Sequence, residues 1–231
     1  MDIGERKAIV LGGTSGIGLA AVGQLRAAGA TVIAGSRTAR ALPTGATFAA
    51  VDVLDRTGLE ALFAAHAPFD VLVNAATGGE RATGPFVKMN LDGFQGSFRK
   101  LWGYVNSVRL GVPHMSADGA IVLVSGTPAR KAQLGMSAIA TVGNAVEGFV
   151  RAIAPEIAPR RINVVAPGLI DTPMFSMQGD ARAKFLTQAT ANNPIKRAGT
   201  PDEVASAILF LIRNDFVTGT TVDVDGGALL P

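Results

Sequence analysis

The chain has 231 residues, 48% of them hydrophobic and 17% charged, with 28 glycines, 12 prolines and no cysteine. That supports a sizeable apolar core and excludes a disordered or disulfide-stapled protein, a thiol nucleophile and a cysteine-based metal site. The net charge of +3 is spread along the chain, with adjacent basic pairs only at Arg6-Lys7, Arg99-Lys100, Arg130-Lys131 and Arg160-Arg161, so no nucleic-acid-binding arm is expected.

Short β-rich apolar runs alternate with helical stretches. Ala8–Leu11 precedes a helix over Ile17–Ala28; Thr31–Ala34 and Phe48–Val51 read as strands, followed by a helix over Thr57–Ala65 and a strand at Val71–Val73. A helix is predicted around Phe94–Gly111, then a strand at Ala120–Val124, a helix at Ser137–Ala154, a strand at Arg161–Ala166, a helix at Pro201–Arg213 and a closing strand at Thr220–Val224. Runs apolar on both faces belong to a parallel sheet covered on both sides, so the expected fold is α/β, a single doubly wound Rossmann domain. Gly168–Pro194, rich in Met, Phe and polar residues, reads as the mobile substrate loop. The opening Met1–Lys7 lacks the apolar core of a signal peptide, and no apolar run approaches the ~18 residues of a membrane span, so a soluble, cytoplasmic protein is expected. His66 and His114 stand apart, and no metal site is expected.

The most informative segment is Gly12-Gly13-Thr14-Ser15-Gly16-Ile17-Gly18, between the first strand and the first helix. Glycines there let the backbone turn sharply and approach a pyrophosphate, and the helix N-terminus presents free N–H groups to the anion. With its preceding leucine the segment resembles the TGxxxGxG fingerprint of the short-chain dehydrogenase/reductase family, with Leu11 where that family usually has Thr. Further motifs follow in the family's order. Asp52-Val53 stands where the adenine is met, Asn74-Ala75-Ala76-Thr77 resembles NNAG, Pro167-Gly168-Leu169-Ile170-Asp171-Thr172 resembles PGxxxT, and Val224-Asp225-Gly226-Gly227 resembles the terminal VDGG. The resemblance implies a dinucleotide site made by Gly12, Thr14, Ser15, Gly16, Ile17, Gly18, Ser36, Arg37, Asp52, Val53, Asn74, Ala75, Ala76, Pro167, Gly168, Ile170 and Thr172.

At the end of the second strand, where a carboxylate would take the ribose 2′-hydroxyl of NAD, the chain has Gly35-Ser36-Arg37. A forked cation without an acid suits a 2′-phosphate, so NADP(H) is the expected cofactor. An ordinary solvated loop arginine is the competing reading of Arg37. Between Arg37 and Asp52 there is too little chain for the helix usual in the family.

The resemblance also implies a relay of Tyr, Lys, Ser and Asn. The corresponding positions are Ile139, Gly143, Gly126 and, aligned on Pro113-His114-Met115, Lys100. Tyr104 is the single tyrosine, so no change of register restores YxxxK. Substitutes are Lys100, whose ammonium could donate to a carbonyl, Ser125 beside the vacated serine position, and Lys131, which with Arg130 could rim a pocket for an acidic substrate. Each also has a plain reading: a surface lysine, strand-end hydroxyls at Ser125 and Thr127 capping backbone, and solvated cations. Tyr104 is expected to serve packing. Two functions stay open, an atypical NADP(H)-dependent oxidoreductase on an unknown carbonyl or alcohol, and a catalytically inactive NADP(H)-binding sensor or subunit; a lyase or isomerase using Lys100 as base is a third. A homodimer or homotetramer is expected, pairing through Trp102, Tyr104, Val108, Val146, Phe149 and Ile153. The apolar Met174, Phe175, Met177 and Phe185 do not identify the small-molecule substrate.

Overall fold

A computed structural model describes residues 1–79 and 81–231. Seven strands, β1 (Lys7–Leu11), β2 (Thr31–Ser36), β3 (Ala46–Ala50), β4 (Phe69–Asn74), β5 (Met115–Val124), β6 (Arg161–Pro167) and β7 (Thr221–Val224), form one sheet in the order β3-β2-β1-β4-β5-β6-β7. Every neighbouring pair runs parallel. β1 lies between β2 and β4, so the order reverses there, and a crevice opens at the carboxyl ends of these strands.

Side-chain alternation in β1 sends Ala8 and Val10 to one face and Ile9 and Leu11 to the other. The first face is covered by α1 (Gly16–Ala27) and α7 (Pro201–Arg213), through Val22, Leu25, Ile208 and Ile212. The second is covered by α2 (Arg56–His66), α4 (Arg99–Gly111) and α5 (Ser137–Ile153), through Leu59, Phe63, Val108 and Val150. The expected doubly wound α/β architecture is the one observed. No described helix is long and apolar enough to cross a membrane.

Three expectations are corrected. The helix expected over Phe94–Gly111 is two helices, α3 (Leu91–Ser97) and α4, parted at Phe98. The Ser97 hydroxyl donates to the Gly93 carbonyl and accepts the Ala82 amide, tying the end of α3 to the loop before it, and Gly93 and Gly96 weaken the helix on its approach. The stretch Gly168–Pro194 contains α6 (Gly179–Ala189). Arg182 of α6 reaches the Asp171 carboxylate and donates to the carbonyls of Thr172, Phe175 and Met177, while Phe185 packs on Phe175 with ring centroids 5.5 Å apart. The segment is thus organised around one guanidinium. Of the expected pairing residues, Tyr104, Val108 and Val146 are buried in the protomer's own core; Trp102 is exposed, and Phe149 and Ile153 are half-buried.

Helix α1 meets the glycine turn with little tolerance for side chains. A Cβ on Gly18 would stand 2.7 Å from the Gly12 carbonyl carbon and 3.2 Å from Gly13 Cα. On Gly23, one and a half turns along the same helix, the nearest atom would be Pro43 Cγ at 3.9 Å. Gly18→Ala is therefore expected to lose ~1–3 kcal/mol through backbone displacement. Gly23→Ala is expected to gain ~0.5–1 kcal/mol through helix propensity. Urea unfolding of both variants checks this; equal effects would show that the turn does not constrain α1.

Candidate active site

The crevice is built from backbone first. Gly12 and Gly13 both donate to the Gly35 carbonyl, at 2.8 and 3.3 Å, which folds the turn over the ends of β1 and β2. Gly12 has φ +76, and a Cβ there would stand 2.8 Å from the Ala76 nitrogen, so only glycine lets the turn lie against the Ala75-Ala76 backbone. Ser15 occupies the N-cap of α1 without a side-chain cap bond, leaving the first-turn amides with no hydroxyl acceptor. Thr14 is buried; Gly16 lies opposite Thr172, whose side chain would be 3.5 Å from a Cβ at Gly16. The turn after β1 and the loop after β6 therefore approach one another at the positive end of α1, where helix N–H groups can meet an anion.

The other expected dinucleotide residues fall around this crevice. Asn74 is fully buried; its Oδ1 accepts the Ala76 amide at 3.0 Å, its Nδ2 donates to Ser107 Oγ at 2.8 Å, and Ala75 donates to the Leu11 carbonyl at 2.9 Å. Asp52 Oδ1 accepts the Leu54 amide at 2.9 Å, and Val53 packs against Gly103 of α4, where a Cβ would meet its Cγ2 at 2.6 Å. Gly168, after Pro167, donates to Val224 and approaches Asp225 so closely that a Cβ would be 2.8 Å from Asp225 Cα. Ile170 is buried and bridges to Gly199. Ser36 is half-buried, and Arg37 is exposed just past the end of β2. No described residue between Arg37 and Ala46 is helical.

Beside this crevice a pocket of about 40 Å³ is lined by Thr77, Arg81, Ser97, Lys100, Ser125, Gly126, Pro128, Ile139, Val142 and Gly143. Positions 100, 126, 139 and 143, drawn from α4, the end of β5 and α5, thus share one cavity. Its shape is set by the close approach of the turn Thr127–Ala129 to α5: a Cβ on Gly143 would be 2.7 Å from Ala129 Cβ and 3.2 Å from Ser125 Oγ. Ser125, buried at the end of β5, turns its hydroxyl to the Gly143 carbonyl at 3.4 Å.

Lys100, half-buried in the first turn of α4, directs Nζ at the Ser125 carbonyl at 3.4 Å and lies 5.6 Å from the Tyr104 ring centroid. Desolvation, helped by the nearby Arg81 cation, draws its pKa from 10.5 down to about 7. Tyr104 is fully enclosed, its hydroxyl donating to the Val124 carbonyl at 2.7 Å; burial pushes its pKa up, consistent with packing.

The basic rim expected at Arg130-Lys131 is corrected. Arg130 pairs with buried Glu147 at 3.2 Å and with Asp223 at 2.9 Å, joining the turn to α5 and β7. Lys131 Nζ donates to the carbonyls of Ala228 and Leu230 and does not line the pocket. Thr127 is buried in the turn and also does not line it. His114 bonds Glu60 at 3.0 Å. Sequence reasoning missed Arg81. Its signal was the pair Gly78-Gly79 after the Asn74 motif: Gly78 has φ +73, and a Cβ there would stand 2.6 Å from the Arg99 carbonyl oxygen, which brings this loop onto the start of α4 and Arg81 beside Lys100.

Comparison with known proteins gives a consistent context. A family model described as Enoyl-(Acyl carrier protein) reductase matches residues 12–228. L-xylulose reductase of Mesocricetus auratus is 32% identical over 248 residues, covering 100% of both chains. A small-chain dehydrogenase solved in complex with NADPH superposes with a TM-score of 0.84 at 30% identity, over 98% of this chain and 100% of that one. A short-chain oxidoreductase of Pseudomonas aeruginosa PAO1, described as containing an atypical catalytic center, superposes with a TM-score of 0.87 at 28% identity, over 99% and 98%. On the match over residues 12–228 and full-length identity above 30%, the chain belongs to the short-chain dehydrogenase/reductase family.

Proposed function

We propose that the protein is an NADP(H)-dependent oxidoreductase that interconverts a carbonyl and an alcohol without a tyrosine relay, with Lys100 as the proton donor in reduction. The observation that carries this reading is Lys100 itself: an amine with its pKa drawn to about 7, in a pocket with Gly126, Ile139 and Gly143. Lys100 stands at the position aligned with the family's asparagine, and its lowered pKa supports a role as the acid of the cavity.

The dinucleotide is supported by the backbone cradle at Gly12–Gly18 and by Arg37, exposed at the end of β2 where a 2′-phosphate would be met. Bound at this cradle, NADPH would supply the hydride. Gly12 and Gly18 shape the pyrophosphate seat, Asn74 pins the Ala75-Ala76 backbone beneath it, and Thr172 closes it from the β6 loop. For its part Lys100 in the ammonium form hydrogen-bonds the carbonyl oxygen, polarises it and gives up the proton that completes the alcohol. In alcohol oxidation the neutral amine takes that proton. Ser125, with its hydroxyl on the Gly143 carbonyl, orders the pocket wall behind Lys100. The relative with an atypical catalytic center makes oxidoreductase chemistry without the usual residues a reasonable reading for this chain as well.

A second reading, an NADP(H)-binding sensor or subunit, is favoured by the small cavity of about 40 Å³ and by the collapse of the turn at Ala129 onto Gly143. Calorimetric titration of NADPH and NADH separates parts of the problem. NADPH is expected to bind about tenfold or more tightly, with Arg37→Asp removing the preference; equal affinities would refute the assignment to NADP(H).

The role of Lys100 has a pH signature. Reduction needs the ammonium, so kcat/KM for reduction should fall as pH rises through about 7, where the free site titrates, and kcat/KM for oxidation, which needs the amine, should rise over the same range. Lys100→Ala is expected to lower turnover about 100-fold or more while sparing NADPH binding. Unchanged turnover, or an unchanged pH profile in Lys100→Met, would remove Lys100 from the chemistry.

For assembly we infer a homodimer or homotetramer that pairs through the exposed Trp102 and the half-buried Phe149 and Ile153. Light scattering should give two or four times the 23.6 kDa chain mass, and a monomeric value would contradict the inference.

A further inference from the structure

The active-site pocket has an unusual charge balance. Two of its lining residues, Arg81 and Lys100, are cations, and none is a carboxylate among the described residues. None of the ion pairs among the described residues involves either cation. Lys100 Nζ is offered the Ser125 carbonyl at 3.4 Å, and Arg81 Nη1 approaches the thioether sulfur of Met174, a weak acceptor without charge. Lys100 is half-buried and Arg81 is exposed at the rim; loss of hydration lowers the pKa of both, and the Arg81 charge lowers that of Lys100 further.

Elsewhere several arginines are matched with carboxylates, while the half-buried Arg26 and Arg160 are met by backbone carbonyls. Arg130 is matched with Glu147 and Asp223, Arg182 with Asp171, and Arg161 donates to the carbonyls of Leu211 and Ile212 and pairs with Asp215. Around the pocket two neighbouring cations have no carboxylate among their described neighbours. The close approach of Gly78 to the Arg99 carbonyl lays this loop on the first turn of α4, which brings the Arg81 backbone near Lys100. The wall opposite is apolar: Pro128, Ile139 and Val142.

We propose that the substrate is a carbonyl compound that also carries a carboxylate, and that Arg81 is the specificity-determining residue that holds this carboxylate at the pocket mouth, next to Lys100. A guanidinium offers a carboxylate two parallel N–H donors, which a thioether contact does not use up. A cavity of about 40 Å³ takes a group the size of a few water molecules, which suits a planar carboxylate next to a carbonyl and not a long chain. The carboxylate also supplies the negative charge that the described neighbours of the two cations do not, raising the Lys100 pKa when substrate enters and loading the proton for delivery. This deepens the oxidoreductase reading and rests on it for the turnover arm of the test alone.

The binding arm uses oxalate as the probe and is independent of turnover. The acetylation rate of Lys100 by acetic anhydride, followed by mass spectrometry in the NADPH-saturated protein, should fall saturably by about tenfold or more with oxalate, and not with chloride at matched ionic strength. Arg81→Met should abolish the protection, and Arg81→Lys, which keeps the charge but not the fork, should restore part of it. The absence of protection in the parent protein, or equal protection in Arg81→Met, overturns the proposal.

The turnover arm compares 2-, 3- and 4-oxo acids with their methyl esters. At least one acid should exceed its ester about tenfold or more in kcat/KM, mainly through KM, and Arg81→Met should bring that ratio to about one. Esters reduced as well as acids by the parent protein overturn the proposal. Oxalate protection without turnover of any acid or ester supports the carboxylate site and counts instead against the oxidoreductase reading, so the two failures are distinguishable.

Discussion

The contact of Ala129 with Gly143 governs the shape of the pocket. Because the turn Thr127–Ala129 lies against α5 at a residue with no side chain, nothing larger than hydrogen fits at 143. A lysine there would have to displace the turn, and with it Arg130, which joins Glu147 of α5 to Asp223 of β7. Restoring YxxxK would therefore mean more than two substitutions: the backbone around position 143 has closed over the path that the lysine would take. Glycine at 126 and isoleucine at 139 belong to the same arrangement, a smaller and more apolar pocket in which a charge introduced from α4 is poorly hydrated.

This division runs through the whole crevice. On the β1 side, close backbone approaches at Gly12, Gly13 and Gly18 preserve a seat for a pyrophosphate, and they are demanding: each forbids a side chain. A fold that needed only its shape could fill such spaces with side chains and gain core packing. On the β5 side the same degree of close packing has been used to close space. The two halves of one crevice have thus moved in opposite directions, one kept open to a ligand and the other narrowed around a single amine. That contrast is the strongest physical argument that the narrowing serves a particular small group.

How much of this was legible in the sequence depends on whether the signal is local. The short apolar strand runs alternating with helical stretches and the glycine turn after the first strand are short-range patterns, and they carried the fold and the nucleotide side of the site. The placement of Lys100 came from a count along the chain, but its pKa could not, since that depends on Arg81 nineteen residues earlier, brought close by Gly78. Likewise α6 was read as a loop because its apolar residues, Phe185 and Leu186, are few; its order comes from Arg182 gathering four neighbours, which no periodicity reports. Lys131 and Arg130 looked available because sequence does not show that carbonyls at the C-terminus and carboxylates on α5 and β7 await them.

The energetics of Lys100 follow from the same placement. Its pKa is about 7 in the folded protein against 10.5 when hydrated, so between these values the unfolded chain binds the proton more strongly, and stability contributed by this residue rises with pH across that window. Below about 7 both states are protonated and the whole cost of the desolvated cation falls on the native fold. Arg81 adds to that cost, since it carries its charge throughout the range and stands beside Lys100. Among the described residues no carboxylate stands with this pair as Glu147 and Asp223 stand with Arg130, so nothing described offsets the cost. An anion that binds the folded protein and leaves again relieves the repulsion only while it is present. The instability of the pair is thereby converted into affinity for the ligand and into a proton held more firmly at Lys100 while the ligand stays.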